Sequence, residues 1–378
     1  MDFTIPPEDL ALQEGMRRFA AERLAPAAKG LDEAAQFPHQ HVKGLAELGV
    51  MGLNVPEAWG GAGASPLGMV LVMEEMAAAC AATASAVGAH FLATDALLLA
   101  AGDELKRRYL QPAAAGRLLG AYALTEPRAG SDAAAMKTLA EPDGGGWRVR
   151  GVKHFITNGA EADFVVVFAK TDPEAGHRGI GAFVVERATP GFRVARKEDI
   201  MGIRGSPVYE LAFDCWVPAA NLVGDPGGGF KTAMMVLDRS RIEVAAMGLG
   251  IARAALAAAV AWAKERHAFG KPLAEQQGIR WMLADMETDL EAARLLTYRA
   301  AWLRARGDRR YSRESAMAKL YASEMAGRVA DLALQIHGGY GYSRALPLER
   351  YVRDARILRI FEGTSEIQRN VIARELLR

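Results

Sequence analysis

The sequence predicts an α+β chain of three domains in the order helix, sheet, helix. Two changes of hydrophobic period and one glycine-rich linker carry that expectation. Residues 1–118 read as a helical domain, 119–225 as a small β domain and 226–378 as helical again. With 378 residues, 51% of them hydrophobic and 24% charged, the chain can bury a core large enough for such a division.

In the first region one helix is expected from Leu67 through the alanine-rich stretch Ala77 to Ala86, and another from His90 to Ala101. Their small residues would let helices approach closely. VPEAWGGAGAS, 55–65, reads as a loop. In YELAFDCWVP, 209–218, Tyr209, Leu211, Phe213, Cys215 and Val217 alternate with Glu210, Ala212, Asp214 and Trp216, the period of a half-buried strand. WRVRGVKHFI, FVVVFAK and IGAFVVE precede it, and clusters such as EPDGGGW separate these runs as antiparallel hairpins require. After the linker VGDPGGGF, 223–230, Ile242, Ala245, Leu249, Ala252, Leu256 and Val260 recur at helical spacing, as do Met317, Leu320, Tyr321, Met325, Val329 and Leu332. No internal repeat and no low-complexity tail is evident.

Composition removes several functions. Lys and Arg total 46 against 45 Asp and Glu, so no overall field draws the chain to nucleic acid or an anionic membrane. Cys80 and Cys215 make no disulfide framework and suit a reducing compartment. The seven histidines are scattered, with no HExxH or CxxC, so no metal site is expected. MDFTIPPEDL resembles neither a signal nor a transit peptide, and no apolar run is expected to span a membrane. The expectation is a soluble cytoplasmic protein.

The nearest match to a dinucleotide fingerprint, GLGIAR at 248–253, lies inside a helix and has Arg where the third glycine belongs, which rejects it. YALTEPRAGSD, 122–132, is a better candidate. It gathers the hydroxyls of Tyr122, Thr125 and Ser131 and a glycine turn at Gly130, which can approach a phosphate or a flat heterocycle; it also reads as a polar loop opening a domain. KHFITNG, 153–159, is either a hairpin end or a companion to it. In KERHAFGKPLAEQQ a helix should break near Gly270-Lys271-Pro272, leaving Arg266 at its end as a dipole partner or an anion ligand. QIHGGYGY, 335–342, reads as a glycine C-cap that also permits close backbone approach.

FEGTSEIQR places Glu362 after Tyr351, Ala355 and Leu358 on an apolar helical stripe. Gly363 is expected to end that helix, and Ser365 with Gln368 to form a capping box for the next. A carboxylate at such a break on the buried side is either a solvated helix end or a base whose pKa desolvation raises.

In order, TEPRAGSD, KHFITNG, ERHAFGK, QIHGGYGY and FEGTSEIQR resemble the acyl-CoA dehydrogenase family over essentially the whole chain. The resemblance implies an N-terminal helical domain, a middle antiparallel β-barrel domain and a C-terminal four-helix bundle that assembles homotetramers, with FAD between domains and subunits. It implies that Tyr122, Leu124, Thr125, Gly130 and Ser131 line the flavin and its phosphates, and that Phe155 and Thr157 stand beside the ring; the family usually has Trp at the position of Phe155. Arg266, Phe269, Gln277 and Gly339 match positions that reach the adenosine and pyrophosphate from a neighbouring subunit, and Thr364 and Glu366 positions near the diphosphate part. Asp238 and Arg241 match positions near the pantetheine, and the resemblance implies that Ser131, Phe361 and Gly363 border the acyl-CoA substrate. Glu362 matches the base that removes an α-proton while the β-hydrogen leaves as hydride. Branches that place the base on the preceding long helix have it where this chain has Ser240. An acyl-CoA oxidase, a flavin monooxygenase of the same fold or a nucleic-acid-binding relative are the rival readings. The first and last of these would carry C-terminal extensions not seen after FEGTSEIQR, and the monooxygenases lack the glutamate. The resemblance further implies an electron-transfer flavoprotein as acceptor. Residues 80–102 match the helix bordering the acyl pocket and contain no Lys or Arg, so an uncharged short- or medium-chain acyl group is expected rather than glutaryl.

Overall fold

A computed structural model describes residues 4–308 and 311–378. The N-terminal region contains α1 (Pro7–Phe19), α2 (Ala28–Ala34), α3 (His39–Glu47), the long α4 (Pro66–Ala100) and two short turns, α5 (Asp103–Leu105) and α6 (Gln111–Ala114). Pro66 opens α4 at a position where its missing N–H costs nothing, and Ser65 caps it by accepting from Gly68 N at 2.9 Å. Two helices are expected at 67–86 and 90–101, but the chain stays helical past Gly88, and α4 is instead interrupted earlier, by a kink at Cys80 (φ −154°, ψ 94°) where two helical stretches meet. There Ala79 to Ala82 share a small cleft with Ile203, Tyr351 and Asp354.

The seven-stranded sheet comprises β1 (Gly120–Ala123), β2 (Leu139–Asp143), β3 (Gly146–Thr157), β4 (Phe164–Lys170), β5 (Ile180–Glu186), β6 (Phe192–Lys197) and β7 (Val208–Pro218). Gly144 and Gly145 both have positive φ and close the β2–β3 hairpin, which is why glycine stands at both positions. β3, β7 and β6 are antiparallel neighbours, and Tyr209, Leu211, Phe213, Cys215 and Val217 all point inward, as their alternation predicts. The expectation of a wholly antiparallel barrel is corrected. β1 pairs in parallel with β4, and Leu139 of β2 continues the same edge of β4, so the sheet is mixed and curled. β1 and β4 are separated by the whole β2–β3 hairpin, and such a long crossover permits parallel pairing where a tight turn cannot.

The C-terminal region is built on α7 (Gly229–Glu265), followed by the small hairpin β8 (His267–Ala268) and β9 (Lys271–Pro272). Then come α8 (Gln277–Ala305), α9 (Tyr311–His337), α10 (Gly339–Tyr342), α11 (Leu348–Ile357) and α12 (Ser365–Leu376). α7 lies between α4 and α9, and its central residues Ala245, Ala246, Leu249, Ile251 and Ala252 are buried. By length and composition α4 and α7 could each cross a membrane, contrary to expectation. In this fold 83% and 67% of their most apolar windows are buried, as core helices require.

The approach of α7 to α4 depends on Gly250, where a Cβ would stand 2.4 Å from Glu74 O and 2.8 Å from Ala78 N. Gly250→Val should therefore destabilise the protein by about 1–3 kcal/mol through overpacking, read as a lower denaturation midpoint. An unchanged midpoint would mean that the two helices can separate freely.

Candidate active site

Glu362 does not prolong a helix. α11 stops at Ile357, and the chain reaches Glu362 through a turn that leaves Glu362 at φ 53° and Gly363 at φ 93°. A left-handed glutamate is strained and persists only where its surroundings fix it. Gln368 Nε2 donates to Gly363 O at 2.8 Å and Glu362 O at 3.3 Å, and Lys319 Nζ donates to Gly363 O at 2.6 Å. The cap of α12 is Thr364, which accepts from Ile367 N at 3.3 Å; the expected Ser365–Gln368 box does not form, because Ser365 donates instead to Glu324 Oε1 at 2.7 Å.

As a whole residue Glu362 is half-buried, yet its Oε2 is enclosed and has no hydrogen-bond partner. Burial raises its pKa above the ordinary carboxylate range, against the opposing influence of the Ser240 hydroxyl, Lys319 and Arg241. The Tyr122 hydroxyl is also enclosed and unpartnered, held well above its usual pKa by burial and by the charge of Glu362. Arg241 is buried and paired with Asp238, which also accepts from the Ser312 hydroxyl. Sequence reasoning missed Glu243, a fully buried acid pushed up to about 8 by burial and by Asp95. Its nearest cation is Arg304 at 3.7 Å, while Arg239 pairs with Asp95 at 3.0 Å. LDRSRIE gives no sign of this, since within it only Asp238 and Arg241 match positions of the resemblance and Ser240 the alternative base position.

TEPRAGSD and KHFITNG are brought together. His154 N donates to Thr125 O at 2.9 Å, and the fully buried Lys153 Nζ donates to Leu124 O at 3.0 Å and Glu126 Oε1 at 2.8 Å. Glu126 also accepts from the Lys137 and Thr138 backbone N–H groups. Burial alone would raise the Glu126 pKa, but Lys153 and these donors bring it below its usual value. Tyr122, Leu124 and Thr125 thus share one end of the sheet with Phe155 and Thr157. A register shift between Lys153 and Ile156 and a left-handed Phe155 (φ 56°) leave that ring 58% exposed. Gly130 and Ser131 are exposed, with no atom near the Cβ position of Gly130. Glu366 is exposed on the first turn of α12, beside the Thr364 cap, and Phe361 is half-buried before Glu362.

Arg266, Phe269, Gln277 and Gly339 gather elsewhere. Arg266 leaves the end of α7 and stacks on Tyr340 at 5.6 Å, while Phe269 at the tip of the β8–β9 hairpin is left-handed (φ 53°) and 97% exposed. From Ser240 to Arg266 is 26 residues of α7, roughly 39 Å at 1.5 Å per residue. Among the described residues one cluster of metal-ligand type exists, His154, Glu198 and Glu210, with Arg196 also 2.8 Å from Glu198.

A helix–sheet–helix chain with a dry carboxylate close enough to act on the Tyr122 hydroxyl, and an exposed aromatic at the same end of the sheet as that tyrosine, is the architecture of a flavin-dependent dehydrogenase. Family models for the acyl-CoA dehydrogenase N-terminal, middle and C-terminal domains match residues 6–117, 121–215 and 227–377. The chain is 46% identical to the acryloyl-CoA reductase (NADH) of Anaerotignum propionicum, covering 100% of this chain and 96% of that protein. It is likewise 46% identical to the mitochondrial short-chain specific acyl-CoA dehydrogenase of Rattus norvegicus, covering 99% and 91%. A solved chain from work on the electron transferring flavoprotein of Acidaminococcus fermentans superposes with a TM-score of 0.98 at 44% identity, each chain covered completely. The protein belongs to the acyl-CoA dehydrogenase family and depends on FAD. Its residues fit that cofactor, for the exposed Phe155, the open Gly130 turn and the enclosed, unpartnered Tyr122 hydroxyl suit a flat heterocycle and its phosphates.

Removing one partner of a buried pair strands the other, so Lys153→Met should cost about 3–5 kcal/mol and loosen the 124–126 segment. Chemical denaturation together with FAD content measures both. A variant as stable as the parent would show that Glu126 is satisfied by backbone donors alone.

Proposed function

We propose that Glu362 is the base for α,β-dehydrogenation of a saturated acyl-CoA thioester to the trans-2-enoyl-CoA. The observation that carries this reading is the enclosed, unpartnered Oε2. The α-C–H bond breaks, its proton goes to Oε2, and its electron pair forms the new α,β double bond as the β-hydrogen leaves. FAD, when bound, accepts that β-hydrogen as hydride. Dryness raises the basicity of Glu362, and the enclosed space excludes water from a weakly acidic centre. In reverse the same carboxylate returns the proton, the direction named for the Anaerotignum relative.

The geometry supports Tyr122, Leu124, Thr125, Gly130, Ser131, Phe155 and Thr157 as the flavin-side residues, with Thr364 and Glu366 toward the diphosphate. Phe361 and Gly363 flank the base on the substrate side, with Asp238 and Arg241 toward pantetheine. Arg266, Phe269, Gln277 and Gly339 lie too far along α7 to complete the same cofactor site within one chain, which supports their serving a neighbour's FAD in a homotetramer. The exposed Trp281, Leu295 and Trp302, on one stripe of α8, suit such an assembly. An electron-transfer flavoprotein is the proposed acceptor, supported by the Acidaminococcus likeness, and the cytoplasm the proposed location.

For the acyl group, the two arginines that flank Ser240 are both committed, Arg239 to Asp95 and Arg241 to Asp238. Neither is free to neutralise a distal carboxylate, which supports an uncharged short- or medium-chain substrate. Butyryl- or octanoyl-CoA should therefore be turned over in preference to glutaryl-CoA in a dye-reduction assay; the opposite order would overturn this choice.

Glu362→Gln preserves size but not basicity. Anaerobic flavin reduction by the best thioester should fall about 10²- to 10⁴-fold while FAD and thioester still bind. Bleaching at the parent rate would place the base elsewhere. Because the pKa of Glu362 is raised, the parent rate should be full at high pH and fall as pH drops, with its acid limb above the ordinary carboxylate range. A limb at or below that range would contradict a desolvated base.

A further inference from the structure

Lys319 stands in the middle of α9 and is completely buried, an uncommon and costly place for an ammonium group. Its ammonium donates a 2.6 Å hydrogen bond to the carbonyl of Gly363, the residue after the base. Gln368 donates to the same oxygen, so the left-handed Glu362–Gly363 turn is gripped from α9 and from α12. A neutral donor would suffice to satisfy a carbonyl. The charge has a second neighbour, the Glu362 carboxylate.

We infer that Lys319 is a positioning residue for the dehydrogenation, fixing the Glu362 turn through the Gly363 carbonyl and supplying the cation that keeps the enclosed carboxylate ionised. This rests on Glu362 as the base.

The groups around that carboxylate account for the need. From α7 come the Ser240 hydroxyl, Arg241 and, close behind, the acid Glu243; from β1 comes the Tyr122 hydroxyl; from α9 comes Lys319, itself near Glu324 on α9 and Glu366 on α12. Arg241 is tied to Asp238, so much of its charge is already answered. Among the described residues no acid pairs with Lys319 within 4.0 Å, and of the acids that act on its charge from further off, Glu362 leads Glu324 and Glu366. Burial draws its pKa down to about 8, with Glu362 as the largest opposing influence. A proton on Lys319 and a negative charge on Glu362 thus stabilise each other across the turn.

Lys319→Gln tests the charge, because the amide keeps a donor for Gly363 O. With FAD bound and thioester saturating, the flavin-reduction rate at pH 7 should fall about tenfold or more, and its acid limb should move up by about one unit or more, since one unit of pKa is a tenfold change in ionisation. KM should change little. A lower melting temperature with an unmoved acid limb would overturn the inference, because a merely structural lysine has that signature. Lys319→Arg keeps the charge and should hold the limb near its parent position; a limb displaced as far as in Lys319→Gln would also overturn it. If neither variant yields folded yellow protein, the lysine serves folding rather than the base, and the inference fails. Glu362→Gln in the same assay separates this from the assignment beneath it: normal reduction there removes the base itself, whereas slow reduction there with an unmoved limb in Lys319→Gln rejects Lys319 alone.

Discussion

The arrangement around Glu362 follows from the cost of keeping one carboxylate dry. An ionised carboxylate in an apolar enclosure either protonates or finds compensation, and full compensation would destroy its basicity. Glu362 sits between these limits. One oxygen is left without a partner while Ser240, Lys319 and Arg241 supply partial, indirect stabilisation. Such a balance cannot be struck at an exposed helix end, which explains the left-handed turn: it swings the side chain away from the surface that the end of α11 would have offered.

The helical scaffold exists in part to make that enclosure. α4, α7 and α9 meet through small residues, with Gly250 and the alanines of all three helices letting backbones approach closely. Close approach leaves little room for water, so charged groups caught between the helices must answer one another. Asp95 with Arg239, Glu243 with Arg304, and Asp238 with Arg241 form a largely buried polar layer near Glu362. The enclosed oxygen of Glu243, with no hydrogen bond and its arginine at 3.7 Å, shows that the layer is incompletely satisfied.

The order of helix and sheet was legible because it depends on local period. The inward alternation of β7 followed directly from residue spacing, and the breaker at Gly270-Lys271-Pro272 announced the helix end that falls just before Arg266. What failed depended on distant partners. The parallel pairing of β1 with β4 and the continuity of α4 past Gly88 are tertiary decisions that no short window records. At the candidate site, motif order singled out Glu362, Phe155 and Thr125 for proposal, but helical spacing misjudged the backbone at Glu362, since a residue's apolar neighbours say nothing about its φ. Lys319, 44 residues from Gly363, and Lys153, 27 from Glu126, were invisible for the same reason.

The span of α7 separates Ser240, beside the candidate base, from Arg266, which the proposed assembly assigns to a neighbour's cofactor. On the shared arrangement each chain is both host and donor, so a defect at one end of α7 disables a different site from a defect at the other. Two chains with unlike defects can then restore one another when mixed: an assembly of host-damaged and donor-damaged copies contains a site made wholly of intact halves. Loss of function in such a protein is a property of the pairing of alleles rather than of either chain alone.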